Sequence, residues 1–153
     1  MKDPDGEPFT ILFVEDDPGH AELVRRSFEE HRVVNRLCHV SNGEDALDYL
    51  LRQNKYTDAV KSPKPHVVLL DLRIPKIDGL EVLKTIRTSK QLDGLPIVIL
   101  TTSEAEKDVA TAYEYNASSY LVKPVDFTKF TGMMKDVGFY WLGWNLYPWG
   151  KGQ

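Results

Sequence analysis

The sequence contains a single cysteine, Cys38, among 153 residues, which excludes an internal disulfide and fits a reducing cytoplasm. No apolar run approaches the ~18 residues that crossing a bilayer requires. The first eight residues, MKDPDGEP, lack the hydrophobic stretch of a signal peptide. Positive charge is also scarce, because the formal net charge is -4, which argues against electrostatic binding to nucleic acid. We therefore expect a cytoplasmic protein that contacts neither membranes nor DNA.

Short apolar runs alternate with amphipathic stretches, a pattern typical of βαβ units and a mostly parallel sheet. Strands are predicted at residues 9–14, 36–40, 66–70, 97–100 and 120–122, and helices at 18–31, 44–52, 80–89, 104–116 and from 126 onward. Right-handed crossovers between such units give one α/β domain. The predicted fold is a flavodoxin-like, doubly wound (βα)5 with a five-stranded parallel sheet in the order 2-1-3-4-5. Cys38 is predicted to be a small core residue of the second strand.

Acidic side chains follow two of the predicted strands. Glu15 and Asp16 come after the first strand, and Asp71 comes after the third. The carboxyl ends of parallel strands meet at one sheet edge, where open α/β sheets place their ligands. Three carboxylates repel one another unless a cation holds them, and Mg²⁺ is bound by one or two carboxylates together with phosphate oxygens and water. This predicts a Mg²⁺ site, with Mn²⁺ as an alternative, in which Asp71 is either a nucleophile toward phosphorus or a structural cap.

Two further polar residues end the last two strands. Thr101 ends the fourth strand, and Lys123 follows the fifth. A hydroxyl and an ammonium group at that edge can both contact a phosphoryl oxygen. The alternatives are a strand terminus that hydrogen-bonds its own loop and a lysine that extends to water. Because Pro124 follows Lys123, the bond between them is a candidate cis peptide.

Four segments together resemble the receiver domain of two-component response regulators: VEDD at 14–17, LLDLRIPKIDGLEVL at 69–83, ILTTSEAE at 99–106 and SYLVKP at 119–124. The resemblance covers residues 8–138 and implies a sensor histidine kinase as the partner. It implies these roles: Asp71 as phospho-acceptor; Glu15, Asp16, Asp71 and the backbone carbonyl of Arg73 as metal ligands; Thr101 and Lys123 as phosphate contacts; Thr101 and Tyr120 as a switch pair. Glu15 stands where many receivers have aspartate.

The pairing of Thr101 with Tyr120 offers a mechanism for the switch. If the Thr101 hydroxyl swings toward a phosphoryl group, Tyr120 can turn into the space that it leaves. The face formed by the fourth helix and fifth strand would then repack. The four histidines show no metal-ligand spacing and are predicted to be capping or surface groups. They are His20, His31, His39 and His66.

The last fifteen residues, FYWLGWNLYPWGKGQ at 139–153, form an aromatic extension that is predicted to continue the last helix. This extension is too short for a DNA-binding module. Tryptophan and tyrosine are enriched at interfaces, and similar tails occur in single-domain regulators that pair with phytochrome-type kinases and tend to be homodimers. We therefore expect a homodimer, with coverage of the domain's own surface as the alternative. The tail residues assigned to this role are Phe139, Tyr140, Trp141, Trp144 and Trp149.

The predicted function is that of a stand-alone receiver that signals to a downstream protein by contact and is not a conventional enzyme. A phosphorelay intermediate is the alternative within the same family. A haloacid-dehalogenase-type phosphatase also forms an aspartyl phosphate, but that family needs a second aspartate where this chain has Arg73. A flavodoxin is disfavoured because the EDDPGH segment at 15–20 would repel a flavin phosphate.

Overall fold

A computed structural model describes residues 9–30, 36–124 and 126–139 of the chain. In this part, five parallel strands form one sheet in the order β2-β1-β3-β4-β5. The strands are β1 (Thr10–Val14), β2 (Arg36–Val40), β3 (Val67–Leu70), β4 (Ile97–Thr101) and β5 (Ser119–Val122), and the helices are α1 (Pro18–Glu30), α2 (Gly43–Leu50), α3 (Gly79–Thr88), α4 (Glu106–Glu114) and α5 (Phe127–Phe139). Two short 3₁₀ helices lie at Asn54–Tyr56 and Lys90–Leu92. The predicted (βα)5 fold and strand order are confirmed.

The three central strands, β1, β3 and β4, are buried along their whole length. Helices cover both faces of a parallel sheet, so these strands carry apolar residues on both sides. On β1, Leu12 and Val14 belong to a core shared with α2 and α3, whereas Ile11 and Phe13 belong to a core shared with α1 and α5. Cys38 on β2 is only partly buried and packs against the first of these cores.

Local capping sets the position of the loops at the carboxyl edge of the sheet. The Asp17 carboxylate accepts hydrogen bonds from the backbone N–H groups of Gly19 and His20 at 2.8 and 3.1 Å, and so caps the first turn of α1. At the start of α3, a Cβ on Gly79 would lie 2.4 Å from the carbonyl oxygen of Asp71. Only glycine fits that approach, so the α3 terminus packs directly against the backbone of the acidic edge.

Helix α4 is shorter than the predicted 104–116. At its start, the Ser103 hydroxyl accepts a hydrogen bond from the Ala105 N–H at 3.3 Å, which keeps this segment in a loop. At its end, Asn116 takes a positive φ of 59°, a conformation that stops a helix. In the described ranges, no helix is both long and apolar enough to cross a membrane.

Part of the predicted tail lies outside the described residues. Phe139 is the last residue of α5, so this helix extends one residue past the predicted receiver boundary at Gly138. The remaining tail residues, Tyr140, Trp141, Trp144 and Trp149, lie outside the described residues.

Candidate functional site

The carboxyl edge of the sheet brings the three acidic residues together. Glu15 and Asp16 follow β1, and Asp71 follows the neighbouring strand β3. One carboxylate oxygen from each lies within 4.8 Å of the others, an arrangement that could hold a metal ion. Glu15 and Asp71 are buried, with 1% and 7% exposure, whereas Asp16 is exposed. The cluster therefore combines two carboxylates that are shielded from solvent with one at the surface.

Lys123 is the cation that the sheet brings to this cluster. Its Nζ donates to Glu15 Oε2 at 2.5 Å and to Asp71 Oδ2 at 3.0 Å. The residue is itself buried, so both ion pairs are shielded from solvent. The same Nζ lies 3.1 Å from His20 Nδ1 on α1. Lys123 therefore bridges the two buried carboxylates, and a metal ion entering the cluster has to compete with it.

Burial and the Lys123 ammonium shift the pKa values of Glu15 and Asp71 in opposite directions. Burial raises the pKa of Glu15 to about 7 against the opposing effect of Lys123, and the nearby Asp71 charge adds to the rise. Burial alone would also raise the pKa of Asp71, but the Lys123 ammonium, with hydrogen bonds from Lys123, Glu15 and the Arg73 N–H, holds it below its ordinary value. Near pH 6, Asp71 is therefore ionised, whereas the raised pKa of Glu15 favours its protonated form.

Magnesium binding is expected to weaken as pH falls below about 7, because the ion must expel the Glu15 proton. The folded-state pKa of Glu15 lies above its ordinary 4.5, so protonation favours the metal-free protein throughout that window. We expect the affinity to fall by up to about tenfold per pH unit below that point. Calorimetric titration with MgCl₂ at pH 6 and pH 8, in two buffers of different ionisation enthalpy, measures both affinity and proton release.

The matched control for this titration is Glu15→Gln, which removes the ionisable group but keeps the side-chain shape. This variant should bind Mg²⁺ more weakly than the wild type at pH 8 and show little change between the two pH values. An equal affinity of the wild-type protein at pH 6 and pH 8 would contradict the raised pKa of Glu15.

The two predicted switch residues both contact Ser103. Thr101 is fully buried at the end of β4, and its Oγ1 accepts a hydrogen bond from the Ser103 N–H at 3.3 Å. The Tyr120 hydroxyl, on β5, donates to the Ser103 carbonyl at 2.9 Å. Burial raises the pKa of Tyr120, so the hydroxyl keeps its proton as a donor. In this structure the pair is therefore linked through the loop after β4.

Arg73 lies two residues after the predicted acceptor. Its backbone N–H donates to Asp71 Oδ1 at 3.2 Å, and its guanidinium pairs with the carboxylate of Asp108 on α4. The guanidinium also lies 3.9 Å from Asp78. The predicted role of the Arg73 carbonyl as a metal ligand stays a prediction.

Two contacts of the site were missed by the sequence reasoning. His20 was predicted to be a capping or surface group, yet its Nδ1 lies 3.1 Å from Lys123 Nζ; no signal in the sequence indicated this contact, because the two residues lie 103 positions apart. Asp108 gave no signal, because its partner Arg73 lies 35 residues away along the chain.

The expectation of a cis peptide before Pro124 is wrong. Among the described residues, which include both Lys123 and Pro124, no peptide bond is cis. The trans form is the more stable one for most X-Pro bonds, by about 0.5–1 kcal/mol. In this form, the Lys123 N–H donates to the Thr101 carbonyl at 2.8 Å and extends the pairing of β4 with β5 up to the proline.

Comparison with known sequences shows which proteins this chain resembles. Residues 11–135 match the response regulator receiver domain. The probable methanogenesis regulatory protein FilR2 of Methanothrix harundinacea is 42% identical over 142 residues, which cover 93% of this chain and 89% of that protein. The response regulator Rcp1 of Synechocystis is 34% identical over 142 residues, covering 93% of this chain and 95% of that protein. These relatives are similar to this chain over nearly their full length.

Solved structures of response regulators also resemble this chain. The Mn²⁺-bound form of response regulator Rcp1 has a TM-score of 0.86 at 34% identity and covers 93% of this chain and 100% of that chain. The phosphorylated cyanobacterial phytochrome response regulator RcpA also has a TM-score of 0.86, at 29% identity, covering 92% of this chain and 99% of that chain. The fold, the acidic edge and the sequence relationships lead to one conclusion: the chain belongs to the response regulator receiver domain family.

Proposed function

We propose that this chain is a stand-alone response regulator that accepts a phosphoryl group on Asp71 from a sensor histidine kinase. The observation that carries the proposal is the setting of Asp71. It is a buried carboxylate, ion-paired with Lys123 and adjacent to the carboxylates of Glu15 and Asp16. Its depressed pKa keeps it ionised at neutral pH, as a nucleophile requires.

The donor set fits a hard divalent cation. Glu15, Asp16 and Asp71 offer oxygen ligands within 4.8 Å of one another, and oxygen is the ligand type that Mg²⁺ and Mn²⁺ accept. The Mn²⁺-bound structure of Rcp1 supports the same assignment for this chain. When bound, such an ion would neutralise charge on the incoming phosphoryl oxygens.

The chemistry at Asp71 is a phosphoryl transfer to a carboxylate. A carboxylate oxygen attacks phosphorus, the bond between phosphorus and the imidazole nitrogen of the kinase breaks, and the histidine retains that electron pair. The product is an acyl phosphate on Asp71. Lys123 already donates to Asp71, so a short movement lets its ammonium pair with a phosphoryl oxygen instead. The buried hydroxyl of Thr101 is the second proposed donor to that group.

The proposed output is a change at a protein surface. The acyl phosphate carries about -1.5 to -2 charges in place of the single charge of the carboxylate, together with three strong acceptor oxygens. As Thr101 and Tyr120 rearrange, the face made by α4 and β5 repacks, and a downstream protein reads that face. We propose that the protein acts in the cytoplasm. A phosphorelay intermediate differs only in that the phosphoryl group then passes to a second histidine.

Phosphotransfer from a labelled kinase tests this function. The protein is incubated with autophosphorylated sensor histidine kinases of the source organism, with Mg²⁺ or with EDTA. We expect rapid transfer from at least one kinase with Mg²⁺ and none with EDTA. Absence of transfer from every kinase, in a preparation that is folded, would contradict the proposal. Onward transfer of the label to a histidine phosphotransfer protein would identify a relay intermediate.

We also propose that the protein forms a homodimer through α5, β5 and the aromatic tail. The support is the aromatic sequence of residues 139–153, of which only the first lies among the described residues. Light scattering at micromolar concentration, with and without beryllofluoride as a phosphoryl mimic, is expected to give the mass of a dimer. A monomeric mass under both conditions would contradict this part of the proposal.

A further inference from the structure

Asp108 is a buried carboxylate in the first turn of α4, with 2% exposure. A buried charge is costly unless it is paired and hydrogen-bonded, so its partners explain why it is there. Its Oδ2 accepts from the Arg73 guanidinium and from the Ser103 hydroxyl, the latter at 2.7 Å. Asp108 thus ties α4 to two loops at the carboxyl edge of the sheet.

Each of these partners is hydrogen-bonded in turn to the proposed acceptor or to the proposed switch pair. Arg73 donates its backbone N–H to Asp71 Oδ1 at 3.2 Å, so one residue contacts both the acceptor and α4. Ser103 donates its N–H to Thr101 Oγ1 at 3.3 Å and accepts the Tyr120 hydroxyl at 2.9 Å. Asp108 is therefore the point at which the loop after β3 and the loop after β4 are held together.

We propose that Asp108 is a positioning residue that stabilises the unphosphorylated arrangement of these two loops. This inference rests on the proposed function, in which Asp71 takes the phosphoryl group. Turning Thr101 toward that group moves its oxygen away from the Ser103 N–H, and turning Tyr120 inward breaks its bond to the Ser103 carbonyl. Both movements free Ser103 to shift, and the Asp108–Ser103 hydrogen bond opposes that shift.

The negative charge of the phosphoryl group would attract Arg73, the other partner of Asp108. Its oxygens are strong acceptors for a guanidinium. The Arg73 side chain is 55% exposed, which leaves it room to turn toward a new anion. Asp108 competes for that guanidinium, so the ion pair favours the unphosphorylated form. A ligand that binds only the other form must overcome this preference, which lowers its apparent affinity.

A purely structural role makes a different prediction. An acidic residue in the first turn of a helix interacts favourably with the helix dipole. If Asp108 did only that, its replacement would lower the free energy of unfolding but leave the affinity for a phosphoryl mimic unchanged. The positioning role predicts a tighter complex with the mimic. Affinity for beryllofluoride therefore separates the two roles where stability does not.

The test is titration of the full chain with beryllofluoride in the presence of Mg²⁺. Asp108→Asn keeps the side-chain shape and an oxygen for Ser103, but loses the charge that attracts Arg73. We expect it to bind the mimic on the order of tenfold more tightly than the wild type. Glu106→Gln, which removes one exposed charge from the same helical turn, is the matched control and should bind as the wild type does.

Asp108→Ala serves if Asp108→Asn does not fold, and the same gain in affinity is expected. Arg73→Gln removes the guanidinium that both Asp108 and the phosphoryl group attract, so it should not bind the mimic more tightly than the wild type. In the Arg73→Gln background, Asp108→Asn should give no further gain, because the interaction that it breaks is already absent. Wild-type affinity in the Asp108 variants, or the same gain with and without Arg73, would overturn the positioning role. Labelling of the same proteins by acetyl phosphate separates this result from the proposed function: an unlabelled wild type means that the proposed function fails, and the inference fails with it.

Discussion

Asp71→Asn is expected to reduce phosphoryl labelling by acetyl phosphate to background. The asparagine amide has nearly the same shape as the carboxylate, and its oxygen can still accept from Lys123, so the fold should be kept. The amide is not a nucleophile toward phosphorus, and the acyl phosphate cannot form. Acid-stable and acid-labile label are measured after incubation with radiolabelled acetyl phosphate and Mg²⁺, and only the acid-labile fraction should disappear.

Asp136→Asn is the matched control for this experiment. Asp136 is an exposed aspartate on α5, so the substitution changes the net charge by the same amount away from the acidic edge. It should be labelled as the wild type is. Acid-labile label at the wild-type level in Asp71→Asn would show that the acceptor is another residue.

Lys123→Met is expected to destabilise the metal-free protein by about 3–5 kcal/mol at pH 8, which is the usual cost of breaking a buried ion pair by removing one partner. Without the ammonium, Glu15 and Asp71 face each other in a buried site with no cation. The loss should be smaller at pH 5.5, because Glu15 then carries a proton and only one charge is left unpaired. Urea unfolding at the two pH values measures both free energies.

Magnesium should restore much of the stability of Lys123→Met at pH 8, because the ion would supply positive charge to the same carboxylates and would bind only the folded state. The matched control is Lys107→Met, at an exposed lysine of α4, and its stability should change little. If Lys123→Met unfolds at the same urea concentration as the wild type at pH 8 without Mg²⁺, Lys123 does not neutralise the buried pair.

The arrangement of the acidic edge followed from the sequence because it depends on topology. Runs such as VVLL at 67–70 are typical of strands buried on both faces, and the residue after each run must then emerge at the same edge of the sheet. That rule alone places Asp71 beside Glu15. The rule requires only the strand order, and because crossovers between parallel strands are right-handed, few orders are possible.

Contacts between helices and loops were not predictable in the same way. The pairing of Asp108 with Arg73 depends on where α4 begins, and that start is set by the Ser103–Ala105 turn. Side-chain reach decides the contact of His20 with Lys123, two residues that lie 103 positions apart along the chain. The cis expectation before Pro124 ran against the general preference of X-Pro bonds for the trans form, which the Lys123–Pro124 bond follows. Roles assigned to the tail after Phe139 stay predictions.

Asp71 alone is expected to receive the phosphoryl group, in a reaction that depends on a metal ion. The most direct measurement is to phosphorylate the wild-type protein with acetyl phosphate, reduce the acyl phosphate with borohydride, and locate the reduced residue by peptide mass spectrometry. We expect conversion of Asp71 only, in the sample with Mg²⁺ and not in the sample with EDTA. Conversion of Glu15, Asp16 or any other carboxylate instead, or equal conversion of Asp71 in EDTA, would contradict this expectation.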